Sequence, residues 1–414
     1  MRWALLVLAA LTAGACGGDE ASPDPWDVQL GTDAADTSFG VAAGPDGGVV
    51  VAAASEGPLA GTHNGKRDIV VIGFSADGEQ RWSTQIGGDA TDSPLGVSVA
   101  PDGSVYVSGF TEGDFASANA GSADVFLLKL DADGNELWRQ QFGGDGWDRG
   151  FDVTAFDGGA YVSGYTASVL DEATNTEGFD GFAARFDDTG TLEWLRQVGT
   201  DAADWGQGSA LAPDDGLYLT GYTEGLLGEV HAGGKDAFVT RLGPDGTVVW
   251  SRQFGTEALD WPQGVGVTAD GGVLLAGSTE GDLAEPNAGL RDGFLAGFDA
   301  DGAPTFTTQF GTSGVDSVFE VRAVGDRIVA TGSTEGDLGG LVGERDGLLV
   351  WLDRDGTVTS IEQLGSTAVD DLTGLAVAES GAVIYTGGTF GELAGPSAGD
   401  SDVVVGSTTD PADG

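Results

Sequence analysis

Residues 85–140 read QIGGDATDSPLGVSVAPDGSVYVSGFTEGDFASANAGSADVFLLKLDADGNELWRQ, and the rest of the chain repeats them. The opening Gln-apolar-Gly recurs with its glutamine at Gln29, Gln85, Gln141, Gln197, Gln253, Gln309 and Gln363. Five of the steps are 56 residues and the last is 54. A fixed period of this length marks a repeat architecture. Two aspartates hold the same register. One lies seven residues after each glutamine (Asp36, Asp92, Asp148, Asp204, Asp260, Asp316 and Asp370). The other opens an apolar run (Asp68, Asp124, Asp180, Asp236, Asp292, Asp346 and Asp402).

Within the unit, four apolar stretches of strand length stand out: Gly96–Ala100, Val105–Thr111, Asp124–Leu130 and Glu136–Phe142. None has the three-and-four spacing of a helix. Pro101-Asp102-Gly103 and Asp131-Ala132-Asp133-Gly134 supply turn chemistry for the first and third connections, while the middle one, rich in Gly, Ala and Ser, is longer. Each repeat is therefore predicted to be a four-stranded antiparallel meander. Runs such as Val125-Phe126-Leu127-Leu128 are apolar on both faces, where a sheet covered on one side would alternate. Burial on both faces is what a propeller blade receives from its neighbours. Tryptophans three residues before the glutamine (Trp82, Trp138, Trp194 and Trp250) give bulk to the last strand; Phe306 and Ser360 replace them later in the chain.

At the two ends the pattern is split. Trp26-Asp27-Val28-Gln29 reads as a last strand with nothing before it, and the seventh repeat stops after three strands: Leu375–Val377, Ala382–Thr389 and Asp402–Ser407. The expected fold is all-β, a seven-bladed β-propeller of four-stranded antiparallel blades over residues 26–409, its ring closed by the N-terminal strand completing blade 7. Residues 410–414 form a tail. Closure leaves no open sheet edge.

Residues 1–15 read as a lipoprotein-type signal peptide: Arg2 gives a positive start, Trp3–Leu11 an apolar core too short to span a bilayer, and Ala13-Gly14-Ala15 small residues before the sole cysteine, Cys16. This resembles a lipobox with alanine where leucine is commoner, and the resemblance implies acylation of Cys16. Ordinary cleavage after Ala15 is the alternative. Residues 16–25 are a polar tether. The protein is expected to be exported and lipid-anchored to the cell envelope, at the outer membrane or cell surface, and monomeric.

The repeat pattern, DAFxxKLDxDGxxxWxxQFG followed by GVxVxxDGxVYVxGxT, resembles the secreted bacterial β-propeller repeat family (SBBP repeats) over Trp26 to about Thr409. The resemblance implies a propeller on an exported protein. It brings no catalytic residues with it.

Sixty-six acidic against 17 basic residues give a formal charge of −49. Such a surface repels phosphate backbones and excludes nucleic-acid binding, which needs basic patches; cations and basic partners are favoured. The fourteen in-register aspartates are expected in loops of one face. Their uniformity suits capping of turn N–H groups better than a ligand site, although calcium, which takes six to eight oxygens, is left open as a cofactor. His63 and His231 lie three blades apart and share no metal or proton.

Departures from the repeat single out one region. Trp147, Trp205 and Trp261 flank Asp148, Asp204 and Asp260 at the entrances of blades 3, 4 and 5, and no other blade has an aromatic there; Tyr165 and Tyr222 end second strands nearby. The competing reading folds these indoles into the grooves between blades. Otherwise they form a stacking ledge, with the aspartates as acceptors, for a saccharide or a basic peptide. The expected function is non-enzymatic recognition or scaffolding of an extracellular or periplasmic ligand; the alternative is a carboxylate-based hydrolase or lyase, which a carboxylate pair in a deep axial pocket would favour.

Overall fold

The computed structural model describes residues 25–171, 178–228 and 230–410; the signal segment, Cys16, most of the tether and the last four residues lie outside them. The described chain forms seven four-stranded antiparallel sheets. Blades 1 to 6 run consecutively, from Asp36–Ile86 to Asp316–Leu364. Blade 7 takes three strands from Asp370–Thr408 and its fourth from Asp27–Leu30. There Val28 faces Val405 and Leu30 faces Val403, so the two ends of the chain share one ladder.

Each blade keeps its strands in chain order, with the first strands of neighbouring blades in contact around the axis. Second and third strands are buried on both faces, as in Val105–Thr111 and Asp124–Leu130. Three of the four strands of blade 2 have the boundaries that the sequence predicts. The first starts earlier, at Asp92 rather than Gly96, and carries a bulge between Pro94 and Gly96. Its polar opening residues look like loop because the innermost strand has little apolar surface to cover. The first class of aspartates accordingly opens strands, not loops.

Last-strand tryptophans fasten blades 7, 2, 3 and 4 to their successors. Trp138 Nε1 donates to Asp188 O at 3.0 Å, Trp194 to Pro244 O at 2.9 Å, Trp250 to Ala300 O at 3.1 Å, and Trp26 to Ala76 O at 2.9 Å. Each acceptor lies 50 residues on, in a hairpin whose glycine lets the indole close over it. Gly134, at φ +81°, lies under Trp82 where a Cβ would strike the ring. At the seam of blades 5 and 6, where Phe306 replaces the indole, a cleft of about 300 Å³ opens. Ser360 in blade 6 is compensated across the ladder: its partner Trp351 is fully buried, at a position held elsewhere by Gly73, Lys129, Arg185, Arg241 and Gly297.

Candidate ligand-binding face

Strand direction places the loops before first strands and the loops between second and third strands on one face. The register aspartates and glutamines build that face. Gln141 Oε1 accepts from the amides of Phe115 (2.8 Å) and Ala116 (2.9 Å), and its Nε2 donates to Gly113 O (3.1 Å) and Asp124 Oδ2 (2.9 Å). The same set recurs at Gln29, Gln85, Gln253, Gln309 and Gln363. The glutamine that begins each repeat thus ties the middle loop to the third strand.

Asp148, Asp204 and Asp260 are wholly buried, which corrects their expected role as acceptors for a ligand. Asp148 accepts from Gly144 N (2.7 Å), from Thr166 Oγ1 and from Ser168 Oγ (3.2 Å). Asp204 accepts from Thr200 N (2.6 Å) and Oγ1 (2.9 Å), and Asp260 from Thr256 N (2.6 Å) and Thr279 Oγ1 (2.5 Å). Burial raises the affinity of all three carboxyls for protons, and these hydrogen bonds oppose it. Among the described residues no three or more acids, histidines or cysteines converge where they could hold a metal ion.

The aromatic residues are brought together, with one exchange. Trp205 and Trp261 each follow their aspartate, whereas Trp147 precedes Asp148, so the residue in register with the two indoles is Arg149. All three in-register side chains lie against an aromatic on the second strand of the preceding blade. The Trp205 ring is 4.1 Å from Tyr165, Trp261 is 5.3 Å from Tyr222 with its edge turned to it, and the Arg149 guanidinium is 4.4 Å from the Phe110 centroid. Phe179 (5.3 Å) and Tyr222 (5.6 Å, stacked) flank Trp205 on its other sides. The two indoles are half-buried and Tyr165 and Tyr222 buried, so both sequence readings describe part of the arrangement: the rings pack at the seams and still present a ledge. Trp147 stands apart at the rim, 39% exposed, with the Arg149 guanidinium 5.1 Å from its ring.

Two cations, unnoticed in the sequence, belong to this ledge. Lys235 Nζ lies 4.1 Å from the Tyr222 centroid, 5.3 Å from Trp261 and 6.0 Å from Trp205, with Glu224 at 3.9 Å. Arg67, Arg291 and Arg345 at the matching positions pair likewise with Glu56, Glu280 and Glu335. Comparing the residue before each third-strand aspartate across the blades would have shown Lys235.

A second polar site lies on the axis, toward the opposite face. All seven first strands line a cavity of about 330 Å³ containing Asp152, Ser209 and Arg322. Asp152 accepts from Ser209 N at 2.8 Å, and Arg322 Nη1 donates to Val265 O at 3.0 Å and to Glu320 at 2.6 Å. Burial pushes the Glu320 carboxyl up to about 7, against the pull of Arg322 and reinforced by the charge of Asp152. Asp152 is itself pushed up by burial. These contacts join first strands of blades 3 and 4 and of blades 5 and 6.

No protein-family model matches the chain. The regulatory protein FlaEY of Caulobacter vibrioides is 25% identical over 207 residues, which cover 44% of this chain and 22% of that protein; the likeness spans about a fifth of the relative's length. Among solved structures, the WD40 β-propeller domain of Doa1 aligns over 93% of this chain and 96% of its own with a TM-score of 0.53 at 12% identity. Sqt1 from Chaetomium thermophilum aligns over 89% and 86% with a TM-score of 0.48 at 14% identity. The likeness to the Doa1 domain establishes the fold alone: the protein is a seven-bladed β-propeller.

Proposed function

We propose that the protein is an exported, lipid-anchored recognition propeller of the SBBP-repeat kind, binding a saccharide by stacking on the ledge over blades 3 to 5. The observation that carries this reading is the continuous ring series Tyr165–Trp205–Tyr222–Trp261, confined to two consecutive seams of an otherwise regular repeat. At the corresponding positions, blades 1, 2, 6 and 7 have Thr37, Ser93, Ser317 and Asp371, which cannot stack. The half-buried indoles leave part of each ring exposed for contact with a pyranose ring, while their aromatic neighbours hold them rigid. Burial of Asp148, Asp204 and Asp260 removes the support for a basic peptide as the ligand. A glycan and peptide array probed with the full mature protein and with Trp261→Ala tests the reading: glycan signals that the substitution abolishes support it, and an array blank for glycans sinks it. Lipidation of Cys16 would tether the propeller to the cell envelope, and intact-mass analysis of native protein should find the acylated cysteine.

The axial carboxylates favour a second reading, a hydrolase or lyase with Glu320 as the acid, since a carboxyl near 7 suits proton transfer at neutral pH. Glycoside or lactone turnover lost in Glu320→Gln would establish it; Asp152 and Arg322, engaged in contacts between blades, argue for a structural role instead.

A further inference from the structure

The ledge carries a cation that the rest of the protein does not match. Arg149 has no hydrogen bond and no carboxylate within ion-pair distance among the described residues, and its Nε is buried without an acceptor. Every other described arginine has an acid or a carbonyl on its guanidinium, as Arg252 has Gly302 O at 2.8 Å. An unmatched guanidinium is notable in a chain with 66 acids and 17 basic residues. The nearest acids in sequence are engaged elsewhere: Asp148 holds its own turn, and Asp152 turns to Ser209 on the axis. Phe110 and Trp147 hold the guanidinium between them, which fixes its plane but satisfies none of its N–H groups.

Arg149 also occupies the register position that Trp205 and Trp261 fill in the next two blades. Consecutive blades set equivalent positions side by side, so the ledge reads guanidinium, indole, indole across three seams. Lys235 adds a second positive charge within about one ring's width of both indoles. A planar fork of donors fits a carboxylate through two parallel hydrogen bonds, whereas a neutral sugar hydroxyl leaves most of it unused.

Resting on the saccharide reading above, we infer that the ledge selects acidic sugars: the carboxylate of a uronate residue sits on Arg149 while adjoining pyranose rings stack on Trp205 and Trp261. The overall charge of −49 repels such a ligand at a distance, but salt screens that repulsion beyond about 8 Å at physiological ionic strength, whereas the contact itself is short and partly dehydrated. Recognition is therefore local, and the surrounding acids penalise anions that cannot also stack.

Calorimetric titration at physiological ionic strength tests this, using tetragalacturonate and tetramannuronate beside their methyl esters, which keep the rings and lose the charge. The expected result is that an acidic tetramer binds at least tenfold more tightly than its ester. Arg149→Gln should remove the preference, so that acid and ester bind alike, while Arg149→Lys keeps part of it. Thermal unfolding of each variant separates loss of binding from loss of fold. Equal binding of acid and ester would overturn the inference and leave the saccharide reading standing. Binding of neither form, with neutral glycans binding at Trp261, would do the same. Should peptides ending in a free carboxylate bind through Arg149 while every glycan fails, both inference and saccharide reading fall.

Discussion

The Trp205 indole of blade 4 lies 4.1 Å, centroid to centroid, from the Tyr165 ring of blade 3, at an interplanar angle of 33°. The next seam repeats the relationship with Trp261 and Tyr222, and the preceding one with Arg149 and Phe110. A side chain that opens one blade is thus seated on an aromatic of its predecessor. Packing of this kind makes the ledge rigid, which lowers the entropic cost of holding a ligand there.

Trp205→Ala should lower stability by about 2 kcal/mol, less than for a fully buried tryptophan because the ring is half-exposed. Trp147→Ala should stay within about 0.5 kcal/mol of wild type, since its ring lies at the exposed rim. Urea denaturation of both variants checks the contrast, and equal losses would mean that Trp147 is as well packed as its counterpart.

Deleting residues 26–30 should open the ring. The deletion removes the strand paired with Asp402–Thr408, the Trp26 hydrogen bond to Ala76, and the Tyr385 hydroxyl's bond to Asp27 at 2.5 Å. Loss of the half-buried Trp26 alone should cost about 2–3 kcal/mol, and the bare edge invites association. A truncated protein that melts at the wild-type temperature and elutes as a monomer contradicts this closure.

Gln141→Leu should destabilise blade 2 by about 2–4 kcal/mol, because three loop amides, Gly113 O and the buried Asp124 lose their partner together. Gln141→Glu should restore little, since a carboxylate cannot donate to Asp124. Hydrogen exchange at the Phe115 and Ala116 amides reads the local effect, and unchanged protection there would contradict the assigned role.

Stability should fall between about pH 4.5 and 7 through Glu320. Its carboxyl holds a proton more tightly when folded, up to about 7, than when unfolded. The contribution is therefore fully present below about 4.5 and is lost as pH rises through 7, at up to about 1.4 kcal/mol per pH unit. Glu320→Gln, which stays neutral, should flatten that part of the stability curve. An unchanged slope would show that Glu320 ionises normally on the axis.

The blade count, the closure and most strand boundaries are legible in the sequence because period, turn chemistry and two-sided burial all point the same way. The ledge is legible only in part. Trp205 and Trp261 are visible as departures from the repeat, but sequence adjacency to an aspartate puts Trp147 with them, whereas register puts Arg149 there. Alternation along a strand, not proximity, decides which side chain reaches the preceding blade. Trp351 is hidden for a related reason: the compensation for Ser360 runs across the ladder, and only pairing reveals it. The axial group joins Asp152 of blade 3 to Glu320 and Arg322 of blade 6, a juxtaposition that no single repeat signals.

The central claim, a sugar stacked over blades 3 to 5, is tested most directly by the indole 1H–15N resonances of the tryptophans, assigned by substitution and followed while a uronate tetramer is titrated in. The account predicts that Trp205 and Trp261 shift, with a smaller change at Trp147 beside Arg149, while Trp26, Trp82, Trp138, Trp194, Trp250 and Trp351 stay in place. Shifts confined to that second group, or none at a ligand concentration that saturates binding, would contradict it.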